Sequence, residues 1–345
     1  MAAAEELDIS GRILEVKLGS RKVNDVRWSP AMSAGSGARL AAASSSGKVH
    51  MLTSTSERSK PKDTVDLSSH SASAHCVEFF LTDTTASILL SGGDDSRLNL
   101  FDAREHSSPC VGSAPTGGDT RSLSVSPCGT YAAIATREDD CLEVHDLRNL
   151  RSASADSYSD GQLPSRIGSC SLQPKELHEV LFGSSESGII WCATGGGTCD
   201  AYRTRFGEMV EEPLECIGNL HAHSSSVTRI ACSADRSLYA MGSADCAISL
   251  WDMSTCIQKE NLFRHERPVD DLRMSADGTG IVSAASESDR MSVIDVYDCA
   301  HDRTIIQTKR NKAEAVDISP GARAVALVDN SGSLSVLPLP SASTL

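Results

Sequence analysis

His221 and His223 flank a single residue, a spacing that could set two imidazoles on one metal ion. Three carboxylate pairs, Asp139-Asp140, Glu211-Glu212 and Asp270-Asp271, could supply an acid and a base to one substrate. The surrounding sequence argues against both. His223 stands four residues before Val227, as His70 stands before Ala74 and His265 before Val269, so its role repeats and is expected to be structural. His221 is then a surface residue. The carboxylate pairs fall in loops or at strand starts with no His or Cys in register, which marks them as solvated charge. Gly195-Gly196-Gly197 lies between two strand-like runs and opens no helix, so it reads as a turn rather than a phosphate cradle. Gly47-Lys48 is followed by Val49, and no Gly-x-Gly-x-x-Gly or Gly-x-Ser-x-Gly occurs. No catalytic residue, cofactor or metal is expected, and the chain is read as a non-enzyme.

Composition narrows the partners. The 345 residues carry 32 Lys+Arg against 46 Asp+Glu, a net charge of −14, and only 14 are aromatic (6 Phe, 3 Trp and 5 Tyr). Such a chain lacks the positive field and the stacking platform that direct nucleic-acid binding needs, so none is expected. The 12 cysteines are scattered singly with no Cys-x-x-Cys, and those in apolar strand-like runs, such as Cys141 and Cys232, behave as small hydrophobes. This implies a reducing compartment, nuclear or cytosolic. Apolar runs are far shorter than the ~20 residues that cross a bilayer, so no membrane association is expected. The acidic opening, Met1 to Glu6, is followed by no apolar core, and a signal peptide is not expected.

The elements that position these residues repeat. The pattern apolar, two residues, apolar, one residue, apolar occurs seven times, starting near 23, 74, 120, 177, 227, 269 and 313. It reads Val23/Val26/Trp28, Ala74/Val77/Phe79, Thr120/Leu123/Val125, Leu177/Val180/Phe182, Val227/Ile230/Cys232, Val269/Leu272/Met274 and Ala313/Val316/Ile318. Each copy continues into a turn such as Ser126-Pro127-Cys128-Gly129, a strand of small apolar residues, a tight Gly/Ser/Asp turn and an alternating third strand. A fourth, weaker strand follows at 64–67, 110–112, 167–171, 214–220, 258–263 and 303–307. Alternation with turn signals every 8–12 residues predicts an all-antiparallel β protein, and a period of this length predicts a ring or array. The seventh copy ends at Pro338-Leu339-Pro340 with three strands, while residues 11–18 precede the first copy and alternate like a strand. Pairing that segment with the last sheet would close the ring and hide two free edges. Residues 53–63 and 152–165 are too polar for a core and are expected to be flexible surface loops.

In the fifth copy His223, Asp245 and Trp251-Asp252 stand at the places of the Trp-Asp repeat signature; the second copy has His70, Ser91, Asp95 and Phe101-Asp102, and the sixth has His265. The chain thus resembles the WD-repeat family. The resemblance implies an all-β, seven-bladed propeller spanning residues 1–345, in which each His, turn Asp and strand Trp form a hydrogen-bonded set. Met241 stands where the family has Ser or Thr, which implies an incomplete set in the fifth copy. Arg104 and Arg148 each follow a strand-ending Asp by two residues in successive copies. They resemble the box with which WD-repeat substrate receptors dock onto a cullin-based ubiquitin ligase, although Phe101 and His145 replace its Trp. The stretch from Gly242 to Asp252, the His265–Val269 entry, Ser283–Glu287 and Ile294-Asp295-Val296 look like the WD-repeat subunits of the THO complex. That likeness implies a nuclear scaffold of the THO/TREX machinery for mRNA processing and export. It would dock on large helical subunits and meet the mRNP only indirectly.

Overall fold

The computed structural model describes residues 13–19, 21–30, 38–56, 58–61, 63–67, 70–80, 87–105, 109–150, 165–183, 188–205 and 213–340. Strands dominate because apolar and polar residues alternate along short runs bounded by Gly, Ser, Pro and Asp. They assemble into seven four-stranded antiparallel sheets. The inner strands are Val23–Trp28, Ala74–Phe79, Thr120–Val125, Leu177–Phe182, Val227–Cys232, Val269–Met274 and Ala313–Ile318. Each packs against the next, and the seventh packs against the first, so the sheets form a closed ring, a seven-bladed propeller.

Closure uses the segment that precedes the first copy. Leu14–Lys17 pairs antiparallel with Ser333–Pro338, in register Leu14 with Val336 and Val16 with Leu334. It becomes the outer strand of the seventh blade. Leu14, Val16 and Leu18 pack against the cluster formed by Val23, Val26, Leu334 and Val336. The seam is therefore held by ladder hydrogen bonds and a shared apolar cluster.

Apolar residues of neighbouring sheets meet between the blades. Ala133 and Ala135 of the third blade pack with Val180, Phe182 and Ile190 of the fourth. The second strands are rich in alanine, as at Ala41–Ala43 and Ala132–Ala133, all fully buried. Short side chains there let sheets approach to about the 10 Å of face-to-face packing. The turn between second and third strands is equally tight. Gly197 has φ +75, and a Cβ there would stand 2.5 Å from the His223 carbonyl oxygen of the next blade, so only glycine fits. Gly195–Gly197 is thus a hairpin turn packed on its neighbour.

The outer strands depart in extent from the sequence expectation. They run Asp63–Asp66, Cys110–Pro115, Arg166–Ser171, Leu214–His221, Ile257–Leu262 and Arg303–Asn311. One edge polar and exposed gives little periodic signal, and pairing with the third strand extends them. In the polar stretch 53–63, Thr53 and Ser54 continue a strand, and Ser54 Oγ donates to the Ser59 carbonyl at 2.7 Å. Arg58 reaches the Leu339 carbonyl of the last blade at 2.7 Å. Of the other expected loop, residues 152–164 lie outside the described residues, and Ser165 is buried. After the third strand of the third blade, Leu147–Leu150 forms one helical turn.

Deleting residues 1–18 removes the outer strand of the last blade. The loss of three half-buried aliphatic side chains and a ladder should cost about 2–4 kcal/mol and expose a free edge. A lower melting midpoint and higher-order species on size-exclusion chromatography check this; a truncated chain that melts with the full-length one refutes closure as a stabilising contact.

Candidate functional site

Each inner strand starts on the face that carries the turns between second and third strands. There the signature histidines lie. His70 Nδ1 is 2.9 Å from Asp95 Oδ1, and its Nε2 is 2.6 Å from Ser91 Oγ. Asp95 also accepts from the Ser71 amide at 3.0 Å. Burial pushes the Asp95 carboxyl up, but the hydrogen bond and charge of His70 outweigh it and hold it below the ordinary value. Phe101 replaces the indole of the signature and is fully buried.

The fifth blade differs from expectation. His223 Nδ1 lies 3.1 Å from Asp245, while its Nε2 faces Ser249 Oγ at 2.9 Å and the Met241 carbonyl at 3.2 Å. Trp251 Nε1 donates to Ser249 Oγ at 2.8 Å. The set is complete after all. Residues 249 and 251 share one face of their strand, so Ser249 supplies the hydroxyl that position 241 lacks. In the sixth blade His265 Nε2 meets Ser283 Oγ at 2.7 Å. Glu287 is taken by Lys309 at 2.7 Å. Burial, reinforced by Arg264, lowers the His265 pKa to about 4, so the ring is neutral at physiological pH. His221 is exposed at the end of an outer strand.

Arg104 and Arg148 lie on the opposite face, after the ends of third strands. Arg104 Nε donates to Asp102 Oδ1 at 2.7 Å and its Nη2 pairs with Asp102 Oδ2. Arg148 Nη2 donates to Asp146 Oδ2 at 2.7 Å, and its guanidinium lies 5.8 Å from the Tyr131 ring centroid. Each arginine thus forms a fork with the Asp two residues before it. The side chains are 52 and 67 % exposed.

The residues that the sequence reading passed over line the central channel. At the third and fifth positions of the inner strands, polar side chains point inward and bond from blade to blade. Asp25 accepts from the Val77 amide at 3.1 Å, and Glu78 from Val125 at 3.2 Å. Ser122 and Ser124 accept from Val180 and Phe182 at 3.3 and 3.1 Å. Glu179 accepts from Ile230 at 2.7 Å, Asp271 from Val316 at 2.8 Å and Asp317 from Trp28 at 2.5 Å. Between blades five and six the link is Arg229 Nε to Asp271 Oδ1 at 2.9 Å, with Thr228 Oγ1 donating to the Val269 carbonyl at 2.6 Å. Every interface of the ring is bridged. Arg27 sits 3.6 Å from Asp25, and Arg273 lies 3.1 Å from Glu179 and 3.4 Å from Asp271.

This overturns the reading of Asp270-Asp271 as solvated charge. Asp271 is only 2 % exposed, whereas Asp270 is exposed and accepts from the Ser286 amide at 2.6 Å. Of the other pairs, Asp140 accepts from the Leu177 amide at 3.0 Å, and Glu211-Glu212 lies outside the described residues. The channel opens into a cavity of about 70 Å³ on the histidine face and one of about 170 Å³ on the opposite face. The second is lined by Trp28, Phe79, Glu78, Arg236 and Asp317 among others. Among the described residues, no group of three or more His, Cys, Asp or Glu side chains is arranged to hold a metal.

A closed ring of seven four-stranded sheets makes this chain a seven-bladed β-propeller, and the His–Asp–Ser–Trp set of its fifth blade has the make-up of the WD-repeat signature. The family described as WD domain, G-beta repeat, matches residues 214–252, from the outer strand of blade four through the third strand of blade five. The chain is 25 % identical to THO complex subunit 3 of Arabidopsis thaliana over 221 residues, 64 % of this chain and 60 % of that protein. It is 22 % identical to WD repeat-containing protein AAC3 of Dictyostelium discoideum over 216 residues, 63 % of this chain and 41 % of that protein. The chain thus spans about three-fifths and two-fifths of these relatives.

Ser249→Ala should leave the Trp251 N–H without its acceptor in a buried site, and His223 Nε2 with only the Met241 carbonyl, at a cost of about 1–3 kcal/mol measured by urea unfolding. Met241→Ala leaves this chain of bonds intact, because it uses the Met241 backbone. The channel carboxylates predict a pH dependence. Burial, opposed by Arg27, pushes Glu78 to about 7 and Asp317 to about 7, from 4.5 and 3.8. Burial, opposed by Arg229, likewise pushes Glu179 to about 7 from 4.5. The folded ring therefore binds more protons than the unfolded chain between these values, so stability falls as pH rises from about 4.5 to 7 and levels off above it. Unfolding free energy measured across that range should slope downward, and Glu78→Gln should flatten the slope.

Proposed function

We propose that this chain is a non-catalytic nuclear scaffold, the WD-repeat subunit of a THO/TREX-type assembly that couples transcription to mRNP assembly and mRNA export. The observation that carries this reading is the likeness to THO complex subunit 3 over 221 residues. The geometry supports it. A ring locked at every blade interface holds loops on two faces in fixed relative positions, so several partners can be engaged at once without refolding the scaffold. Large helical subunits with basic segments suit its net charge of −14, which also disfavours bare RNA, so contact with the mRNP would run through those subunits. Arg104 and Arg148 act in this reading as local staples of the opposite face rather than as a ligase-docking box.

Affinity purification of the full chain from nuclear extract, followed by mass spectrometry, tests the proposal. Helical THO subunits should be recovered in near-stoichiometric amount and should remain after Arg104→Glu and Arg148→Glu together. Recovery of a cullin-ligase adaptor that disappears with this double reversal, or a purification without THO subunits, overturns it.

A further inference from the structure

The cavity on the histidine face holds more cationic than anionic groups that lack a counterpart. It is lined by four guanidinium groups, those of Arg27, Arg121, Arg229 and Arg273. Three are matched: Arg27 by Asp25, Arg229 by Asp271 and Arg273 by Glu179. The fourth carboxylate at the rim, Glu314, is taken by Lys22 at 2.6 Å. Arg121 is left over. Among the described residues it makes no ion pair, and its Nη1 donates only to the Leu177 carbonyl at 2.9 Å. A half-buried guanidinium without a counter-ion is costly unless something else satisfies it.

Its neighbours at the second position of the adjacent inner strands are His75 and His178, and both line the same cavity. His178 Nε2 is buried without a hydrogen-bond partner, and Glu176 lies 3.7 Å away. His75 Nε2 is 2.7 Å from Asp94 Oδ1 but misaligned for a hydrogen bond. Other charges facing this group are Arg137, Asp140 and Glu176; burial and Arg137 hold the Arg121 pKa below its ordinary value despite the two carboxylates. The volume, about 70 Å³, has room for several waters or one tetrahedral anion but not for a nucleotide.

We propose that this mouth of the channel is an oxyanion site, in which Arg121, flanked by the imidazoles of His75 and His178, binds a single phosphate group. The guanidinium of Arg121, with donors beyond the one given to the Leu177 carbonyl, matches the acceptor oxygens of a phosphate, and charge-assisted bonds of this kind are the strong ones. The phosphate could be the free ion or could be carried on a serine of a partner segment threaded over this face. This proposal stands independently of the THO reading.

The test is calorimetric titration of the full chain with inorganic phosphate at constant ionic strength, with chloride as the control. Saturable millimolar binding is expected, weakened about tenfold or more in Arg121→Gln and unchanged in Arg104→Gln on the far face. Circular dichroism and melting without phosphate establish that the variant is folded. If it is not, phosphate-dependent shifts of the His75 and His178 imidazole resonances in the unaltered chain give the answer. A phosphoserine tripeptide that binds more tightly than phosphate, with no response to its unphosphorylated form, identifies a protein-borne group. Equal or weaker binding of the peptide identifies the free ion. No saturable binding in the unaltered chain, equal binding by a folded Arg121→Gln chain, or unmoved imidazole resonances overturns the proposal.

Discussion

The ring depends on a side chain of one inner strand accepting the backbone amide of the next. Inner strands of neighbouring blades are too far apart for a shared ladder, so their channel-facing amides would be buried and unpaired without an acceptor reaching across. Asp25, Glu78, Glu179, Asp271 and Asp317 reach across in this way, and Ser122 and Ser124 do so from the third blade to the fourth. The apolar clusters between blades supply most of the cohesion, but they are non-directional. The acceptors fix which strand position faces which and so set the rotation of each sheet against its neighbour.

Concentrating carboxylates on one axis has an electrostatic cost that the channel offsets internally. Arg27 lies among Asp25, Asp317, Glu179 and Asp271, whose combined field outweighs its burial and raises its pKa. Blade five contributes Arg229 where most blades offer an acceptor, and Asp271 then takes both that guanidinium and the Val316 amide. The interior is thus a polar rod of largely matched charges inside an acidic disc. Among the described residues, Arg121 makes no ion pair where the rod meets solvent on the histidine face.

The seven copies, the small second strands and the closing segment were legible because they rest on hydrophobic period and turn chemistry, which tertiary context seldom reverses. The channel was not. Its third-position residues are Asp25, Cys76, Ser122, Glu179, Arg229, Asp271 and Ala315, a series with no common type that repeat matching could detect. The available signal was physical: Asp25, Glu179, Arg229 and Asp271 each directly precede the central apolar residue of an inner strand, Val26, Val180, Ile230 and Leu272, and a charge held there must have a partner. The serine of the fifth blade escaped notice for a related reason, since position 241 was compared in sequence while the hydroxyl arrives from position 249 in space.

Pairing Leu14–Lys17 with Ser333–Pro338 also sets an order of events during synthesis. The first strand leaves the ribosome some 300 residues before its partner exists, which at about 5–20 residues per second is roughly 15–60 s of waiting. Six blades can collapse in turn while this stub and the edge it must cover stay unsatisfied, and the final contact closes a loop of roughly 300 residues. The molecule is therefore most vulnerable to wrong partners just before Ser333–Pro338 is made, and it should need a holding chaperone at that moment more than at any earlier one.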